Sequence, residues 1–326
     1  MQDIKEIIKQ KAKKSLKRIL LIEGEDERII EAAALAVKEK VAKPILIGND
    51  AKIKAAAKKV KADLKGITII DYKKFKNKEK FARKLYELRK HKGLTLPEAK
   101  KLLENPNYFG AMLLKMGYAD GNVGGCKFST AEHMRPALQV LGTKQGTKTV
   151  SGVFFIMAED RTFVFSDSDI NIIPDEGQLA EIAINANDCA KAVGFKPKVA
   201  LLSHSTKGSG EHPSLESIRN ALKIVKQKRP DIIIDGELQF DAAVNPFAAK
   251  QKCPDSVIKG DANVLIFPSI ESANINLHAL HQLAKNLTDF GSIIWGLSKP
   301  VTNGGRSWSY KEVFDAICVC AFQANL

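Results

Sequence analysis

The sequence has 326 residues, of which 44% are hydrophobic and 27% are charged, and its formal net charge is +14. This length and composition are typical of a globular enzyme or binding protein with one large domain or two medium ones. No apolar run reaches the length that spans a bilayer, which argues against a membrane protein.

The positive charge is concentrated in the first third of the chain. Residues 1–118 contain 30 Lys or Arg against 15 Asp or Glu, whereas residues 119–326 contain 21 against 22. A basic region attracts nucleic acid or an anionic small ligand. Few aromatic residues lie between these lysines, so we expect mainly solvated helix faces, with an anionic small ligand second and nucleic acid last.

Cysteine usage and the first residues indicate the compartment. The five cysteines are odd in number and form no CxxC motif, which predicts a reduced, cytoplasmic protein without disulfide bonds. Ile4, Ile7 and Ile8 lie at helical spacing without the apolar region of a signal peptide. The N-terminus is therefore predicted to be a surface helix.

Short apolar runs alternate with amphipathic helices along the chain. The predicted strands are residues 19–22, 45–47, 67–70, 153–157, 162–165, 199–203, 232–234 and 264–267. The predicted helices are residues 28–40, one capped by Asn49 or Asp50, 74–92, one starting at Thr95, 176–193, 213–228, 240–250 and 273–287. Runs 153–157 and 162–165 are predicted to form a hairpin through residues 159–161. The alternation predicts a mainly parallel sheet covered by helices.

The stretch 120–139, DGNVGGCKFSTAEHMRPALQ, is the first candidate site. Its residues 120, 121, 124 and 125 favour turns that let a ligand approach the backbone. Ser129 or Thr130 is the predicted N-cap of the following helix, with Glu132 near the capping-box position. The free amides and the helix dipole then predict an anion site, with Arg135 as a bidentate partner. An ordinary glycine turn capped by serine is the alternative.

Other turns that follow predicted strands offer similar chemistry. They are residues 203–210 with Lys207, residues 235–237, residues 267–268 with Asn274, and residues 299–307 with Arg306. Three such stretches, counting 120–139, combine Lys or Arg with Gly and a hydroxyl residue, which favours a phosphate-bearing ligand over simple flexible loops. The order of residues in 203–210 is not that of a Walker A loop.

Other reactive residues have simpler interpretations. His278 and His281 lie one helical turn apart but lack a third ligand, so we expect partly exposed helix residues. Asp167 and Asp169 are expected to build a structural turn rather than an acid–base pair. Cys126 has no matched base nearby and is expected to be a small packing residue.

The chain resembles a known enzyme family through seven motifs in the same order. They are ELRKHKG at 87–93, STAEHMRPALQ at 129–139, QLAEIA at 178–183, STKGSG at 205–210, KRPDIIIDGELQFDAA at 228–243, ANVLIFP at 262–268 and GLSKPV at 296–301. The family is that of the phosphate acetyltransferases, which interconvert acetyl-CoA and phosphate with acetyl phosphate and CoA. Several long motifs over nearly the whole chain are more specific than a single glycine pattern.

The resemblance implies an architecture and a setting. It implies two α/β domains with mainly parallel sheets and a cleft between them, as in isocitrate and isopropylmalate dehydrogenases. The first domain would comprise residues 1–145 and 297–326, and the second residues 146–296. The resemblance also implies a cytoplasmic homodimer of acetate metabolism that uses CoA and acetyl-CoA as substrates. It implies no permanently bound cofactor, no metal ion, no nucleic acid and no membrane.

The resemblance also implies residue roles in a direct attack within a ternary complex. Arg306 would stabilise the acyl or phosphate oxygens in the transition state, and Arg89 would contact CoA. The phosphate would be held by Ser129, Thr130, Arg135 and Lys207. Asn274 would line the cleft, and Gly305 would be a further substrate-binding position. Such acyl transfer needs a base, a cation and hydrogen-bond donors, which these residue types supply.

Two positions depart from the family pattern, which has Ser-Arg-Gly followed by a catalytic Asp. This sequence has Gly305-Arg306-Ser307 and places Glu312 at the Asp position. Glu312 is the predicted base, with an extra methylene that moves its carboxylate by more than about 1 Å, enough to cost about a hundredfold. Gly305 lacks a hydroxyl, for which Ser307 is one substitute. The departures leave two alternatives: transfer of a longer acyl group such as butyryl, or a catalytically lapsed CoA-binding homologue.

Overall fold

A computed structural model describes residues 3–158, 161–284 and 286–326 and divides the chain into two units. The first unit comprises Lys5–Lys144 and Leu297–Leu326. The second unit comprises Gln145–Gly296 together with the described residues up to Ile4. Among the described residues, no helix combines the length and the apolar character that crossing a bilayer requires.

The first unit contains a sheet of five parallel strands. These strands are β1 (Lys17–Leu21), β2 (Ala42–Ile47), β3 (Thr68–Ile70), β4 (Gly121–Gly124) and β11 (Val301–Asn303), in the order β11-β4-β1-β2-β3. Residues 19–21 of β1 and 44–47 of β2 are apolar runs with buried side chains, as parallel strands covered on both faces require. The C-terminal segment supplies β11, which pairs with β4 at one edge of the sheet.

Eight helices of the first unit are described. They are α1 (Ile4–Ala12), α2 (Glu27–Lys38), α3 (Asp50–Lys59), α4 (Lys78–Arg89), α5 (Leu96–Leu102), α6 (Pro106–Lys115), α7 (Thr130–Val140) and α13 (Tyr310–Ala324), with a 3₁₀ turn at Lys90–Lys92 after α4. Asn49 caps α3, and Thr95 forms a capping box with Glu98 at the start of α5. The two predicted helix starts are confirmed, because both signals are local.

Two glycine-containing segments that the sequence predicted as turns are strands. Residues 121–124 form β4 in the interior of the sheet, and residues 301–303 form β11. β4 lacks an apolar run because its glycines lie under neighbouring helices. A Cβ on Gly121 would collide with Cys320 Sγ, and a Cβ on Gly124 would lie 2.8 Å from His133 Nε2. Close packing of backbone against side chains therefore replaces the usual hydrophobic pattern.

The second unit contains a mixed six-stranded sheet. Its strands are β5 (Ser151–Ala158), β6 (Arg161–Ser166), β7 (Val199–Leu202), β8 (Ile234–Leu238), β9 (Val264–Ile266) and β10 (Leu287–Trp295), in the order β10-β5-β6-β9-β7-β8. The β10–β5 and β5–β6 pairs are antiparallel and the other three pairs are parallel. The predicted hairpin is confirmed, although residues 159–160 of its turn lie outside the described residues. The prediction of an α/β fold with mainly parallel sheets is confirmed.

The helices of the second unit confirm the predictions 176–193 and, to within one residue, 213–228, and they correct two others. They are α8 (Glu176–Val193), α9 (Ser214–Lys228), α10 (Phe240–Val244), α11 (Pro246–Lys252) and α12 (Ile270–Leu283). α8 has its predicted bounds. The predicted helix 240–250 is broken before Pro246, which cannot donate a helical hydrogen bond. The predicted helix 273–287 begins earlier, at Ile270, and ends at Leu283. Strand β10, which the sequence analysis missed, begins at Leu287.

One further correction concerns residues 235–237. The sequence predicted that they follow a strand, but they lie inside β8, with their side chains buried. Asp235 and Glu237 interrupt the apolar pattern that a strand prediction relies on. Lysine and arginine partners, described below, make these buried carboxylates tolerable.

Candidate functional site

The N-terminus of α7 has the predicted cap. Ser129 Oγ accepts a hydrogen bond from Glu132 N at 3.3 Å, and Glu132 Oε2 accepts from Ser129 N and Oγ, each at 2.7 Å. These hydrogen bonds lower the pKa of Glu132, and the positive charge of Arg306 lowers it further. The loop that carries Arg306 is also joined to the loop before α7, because the Arg28 guanidinium donates to the carbonyl oxygens of both Arg306 and Cys126. The structure thus brings Arg306, Ser129 and Thr130 into one region.

The glycine-rich loop before α7 holds a carboxylate of the protein itself. Glu23, which follows β1 and is only 6% exposed, accepts hydrogen bonds through Oε1. The donors are the backbone N–H groups of Gly125 at 2.9 Å, Lys127 at 3.0 Å and Phe128 at 3.4 Å. The amides of this loop, which the sequence offered to a ligand, are therefore occupied by Glu23. Glu23 fixes the loop shape.

Arg28 joins the two loops of this region. Its guanidinium forms a bidentate pair with Asp26, with both nitrogen–oxygen distances 3.0 Å. The same group donates to the carbonyl oxygens of Arg306 at 2.8 Å, Trp308 at 2.9 Å and Cys126 at 3.2 Å. Arg28 therefore connects the loop before α7 with the loop between β11 and α13. Sequence reasoning assigned it no role, because its partners lie far away in the chain.

Asn303, the last residue of β11, connects the sheet to α7. Its Nδ2 donates to Thr130 Oγ1 at 3.1 Å, and its Oδ1 lies 3.1 Å from Nδ1 of the buried His133. Burial lowers the pKa of His133, against the opposing effects of the Glu23 charge and the Asn303 hydrogen bond. A neutral imidazole is therefore favoured. Asn303, held by His133, therefore positions the hydroxyl of the predicted phosphate ligand Thr130.

Arg306 and Glu312 lie on either side of the start of α13. The Arg306 side chain is exposed, on the loop that follows β11. Glu312 is also exposed, and its Oε2 accepts from Ser309 N at 2.7 Å and from Ser309 Oγ at 2.8 Å, which completes a capping box. Glu312 thus has a structural task besides the predicted role of base. Its other oxygen accepts no hydrogen bond from the described residues.

The thiol of Cys126 lies close to these groups, in surroundings that favour its protonated form. It is buried, and burial together with the negative charge of Glu23 raises its pKa to about 12. A thiol with such a pKa is almost entirely protonated at neutral pH. The interpretation of Cys126 as a packing residue agrees with this environment.

The charges of Arg89 and Arg135 both affect the pKa of the Tyr108 hydroxyl. Tyr108 donates its hydroxyl to Gln139 Oε1 at 2.7 Å. Burial raises the pKa of Tyr108, while the charges of Arg135 and Arg89 oppose the increase. The end of α4 and the middle of α7 therefore place two predicted ligand-binding cations in one neighbourhood.

A small cavity of about 160 Å³ lies where β1 and β2 end. It is lined by Ile22, Glu23, Gly24, Glu25, Ile47, Gly48, Tyr72, Pro106, Lys127 and Phe128. Pockets for whole drug-sized ligands usually measure about 300–1,000 Å³. This cavity therefore suits a small group rather than an entire coenzyme.

In the second unit, the predicted phosphate ligand Lys207 is paired with a carboxylate. Its Nζ contacts Asp235 and donates to the carbonyl oxygen of Gly236 at 2.9 Å. The neighbouring Glu237 accepts two hydrogen bonds from Arg219, each at 3.0 Å. Burial favours a higher pKa for Glu237, but these bonds and backbone donors lower it to about 2. Much of the Lys207 charge is thus neutralised within the unit.

Asn274 and the acidic pair of the second unit have structural partners. Asn274 Nδ2 donates to Ser168 O at 2.9 Å. Asp167 is buried and accepts from the backbone amides of Gly152, Asp169 and Asn171, at 3.0 Å each. The interpretation of Asp167 as part of a structural turn agrees with these contacts.

Comparison with known proteins connects this geometry to a family. Residues 3–321 match the family model described as phosphate acetyl/butaryl transferase. The chain belongs to this family. The transferase is 42% identical over 324 residues to the phosphate acetyltransferase of Bacillus subtilis (strain 168), with 99% of this chain and 100% of that protein covered.

Solved structures agree with the family assignment of the transferase. A phosphotransacetylase from Streptococcus pyogenes is 39% identical and superimposes with a TM-score of 0.95, with 99% of each chain covered. The EutD phosphotransacetylase from Staphylococcus aureus is 38% identical, with a TM-score of 0.91 and coverage of 99% of this chain and 98% of that one. The family resemblance inferred from the seven motifs is confirmed.

Proposed function

We propose that the chain is a phosphate acetyltransferase, which reversibly transfers an acetyl group between CoA and inorganic phosphate. The observation that carries the proposal is the similarity over nearly the entire chain to phosphate acetyltransferases. The geometry of the first unit supports it, because Arg28 joins the loop of the exposed Arg306 to the loop before α7. On α7 itself, Thr130 and Arg135 are also exposed.

The proposed reaction is a direct attack in a ternary complex. In the direction of acetyl-CoA synthesis, the CoA sulfur attacks the carbonyl carbon of acetyl phosphate, a C–S bond forms, and the C–O bond to phosphate breaks. Glu312 takes the thiol proton, and phosphate leaves with the electron pair of the broken bond. A thiol has an ordinary pKa of about 8.5, so a nearby carboxylate makes the thiolate accessible at neutral pH.

The charges that develop in this reaction require fixed donors. Arg306 stabilises the carbonyl oxygen as it becomes negative, since a guanidinium at a preorganised site is most effective there. Ser129, Thr130 and Arg135 hold the phosphate oxygens, and Arg89 contacts CoA. Roles for Lys207, Asn274 and Gly305 in substrate binding stay predictions. The Lys207–Asp235 pair indicates that Lys207 must exchange a partner before it binds phosphate.

Other parts of the proposal concern the setting of the enzyme. We propose that the two units correspond to domains divided near residues 145 and 297. Acetyl-CoA and phosphate are the proposed substrates, and no permanent cofactor is required by the chemistry. A homodimer in the cytoplasm is the proposed state. The odd cysteine count without a CxxC motif is an argument for the cytoplasm.

The decisive experiment measures acetyl phosphate formed from acetyl-CoA and inorganic phosphate, with the released thiol as a second readout. We expect turnover by the wild type and a loss of at least about 10²-fold in Arg306→Gln. Lys311→Gln is the matched control, because it removes one positive charge from the exposed start of α13. No acyl phosphate with any short acyl-CoA would refute the proposal.

A longer acyl group is the second candidate, because the family description covers both acetyl and butyryl transfer. The relative kcat/KM values with acetyl-CoA and butyryl-CoA decide between the two. Binding of CoA without any turnover would instead indicate the lapsed homologue.

A further inference from the structure

The indole of Trp308 lies against the glycines that precede Arg306. A Cβ built on Gly305 would be 2.9 Å from both Trp308 Cδ1 and Nε1, and one on Gly304 would be 3.2 Å from Cε3. Trp308 N donates to Gly305 O at 3.1 Å, which closes the turn. The pyrrole edge of the ring therefore occupies the space into which any side chain at position 305 would project.

The N–H group of this indole has no acceptor among the residues that the structure describes. Within residues 3–158, 161–284 and 286–326, Trp308 Nε1 donates no hydrogen bond, although the side chain is half-buried. The nitrogen is not fully buried, so the N–H group can donate to a bound ligand. Arg28 fixes the backbone that carries the ring, because its guanidinium donates to the carbonyl oxygens of both Trp308 and Arg306.

We infer that Trp308 Nε1–H donates a hydrogen bond to a substrate oxygen, namely the acyl or phosphate oxygen that Arg306 stabilises. The inference rests on the proposed function. The indole nitrogen lies 2.9 Å from the point where a Cβ of residue 305 would stand, directly before Arg306 in the chain. Trp308 thus places a donor beside position 305, where glycine itself has no side chain to offer one.

The first test is Trp308→Phe, which retains an aromatic ring and removes the N–H. We expect kcat to fall by roughly 10²-fold, as for the loss of one oxyanion donor, with little change in the KM for CoA. The matched control is Trp295→Phe, which alters the other tryptophan of the chain, in β10 of the second unit. Wild-type kcat in Trp308→Phe would overturn the inference.

A second test uses the space that the two residues share. Gly305→Ser in the wild type forces the new side chain against the indole, so kcat should fall. In a Trp308→Ala background, the same Gly305→Ser change places a hydroxyl in vacated space and should raise kcat above that of Trp308→Ala. An equal loss in both backgrounds would contradict a shared donor role, whereas a reversal of sign supports it. Thermal unfolding of each variant identifies any that fail to fold.

Binding to the indole can be measured even without turnover. Trp295→Phe leaves Trp308 as the single tryptophan, whose fluorescence is titrated with inorganic phosphate and with acetyl phosphate. A saturable change supports the inference, and its absence with both anions overturns it. Failure of the wild type to form any acyl phosphate would refute the proposed function separately, because the fluorescence titration requires no reaction.

Discussion

Replacing Arg28 with lysine tests whether this residue positions the loop that carries Arg306. The arginine side chain makes five hydrogen bonds, two to Asp26 and three to the carbonyl oxygens of Cys126, Arg306 and Trp308. A lysine ammonium has three donors on one atom and cannot reach all these acceptors. Arg28→Lys therefore keeps the charge and loses at least two hydrogen bonds.

The size of the effect follows from these contacts. A hydrogen bond that involves a charged group contributes about 1.5–3 kcal/mol, so two lost bonds correspond to about 3–6 kcal/mol at most. Water replaces part of this loss because the Arg28 side chain is 30% exposed. We expect a local loss of about 2–3 kcal/mol. A displacement of about 1 Å in a catalytic group can reduce the rate about a hundredfold.

The assay compares kcat and the KM for each substrate in the two enzymes. We expect kcat of Arg28→Lys to fall by roughly tenfold to a hundredfold, while the KM for CoA changes little because Arg89 is untouched. Arg83→Lys is the control, since Arg83 is 72% exposed and pairs with Glu79 on the surface of α4. A kcat for Arg28→Lys within twofold of the wild type would refute the reasoning.

Two further predictions concern ionisable side chains. Cys126→Ala should keep kcat within about twofold, because burial raises the pKa of this thiol to about 12 and leaves it protonated; a tenfold loss of kcat would contradict this. The pKa of Glu237 is lowered from its ordinary value of 4.5 to about 2. The ionised side chain therefore contributes fully to the free energy of unfolding above pH 4.5, and this contribution is lost as the pH falls towards 2. Acid unfolding of Glu237→Gln should therefore depend less steeply on pH between 4.5 and 2 than that of the wild type, and an unchanged slope would count against the Glu237–Arg219 pair as the cause.

Interactions between residues close in sequence allowed several helices to be predicted. The capping boxes at Thr95 and Ser129 involve residues three positions apart, so the printed sequence contains both partners in order. Helix α8 keeps a regular apolar pattern for 18 residues and was predicted with its observed bounds. The seven motifs also sufficed for the family, because their order excludes a chance match.

Strands with polar or glycine residues were harder to predict. β4, with the sequence GNVG, has no apolar alternation, since its glycines allow Cys320 and His133 to approach the backbone. β8 contains Asp235 and Glu237, whose charges are compensated by partners from other segments. In both strands, the residue types depend on side chains from distant parts of the chain, which an analysis of local hydrophobic patterns does not consider.

From the sequence alone came the α/β class, the capped helix at Ser129, the family, and the expectation that Arg306 is central to the chemistry. Only the tertiary structure decided that Glu23 binds the amides of the glycine-rich loop and that Arg28 holds the backbone of Arg306. The hydrogen bonds from the loop to Glu23 join residues 102–105 positions apart, and the Arg28–Arg306 bond spans 278 positions. Local periodicity contains no information about such pairs, because chain folding rather than sequence proximity brings them within hydrogen-bonding distance.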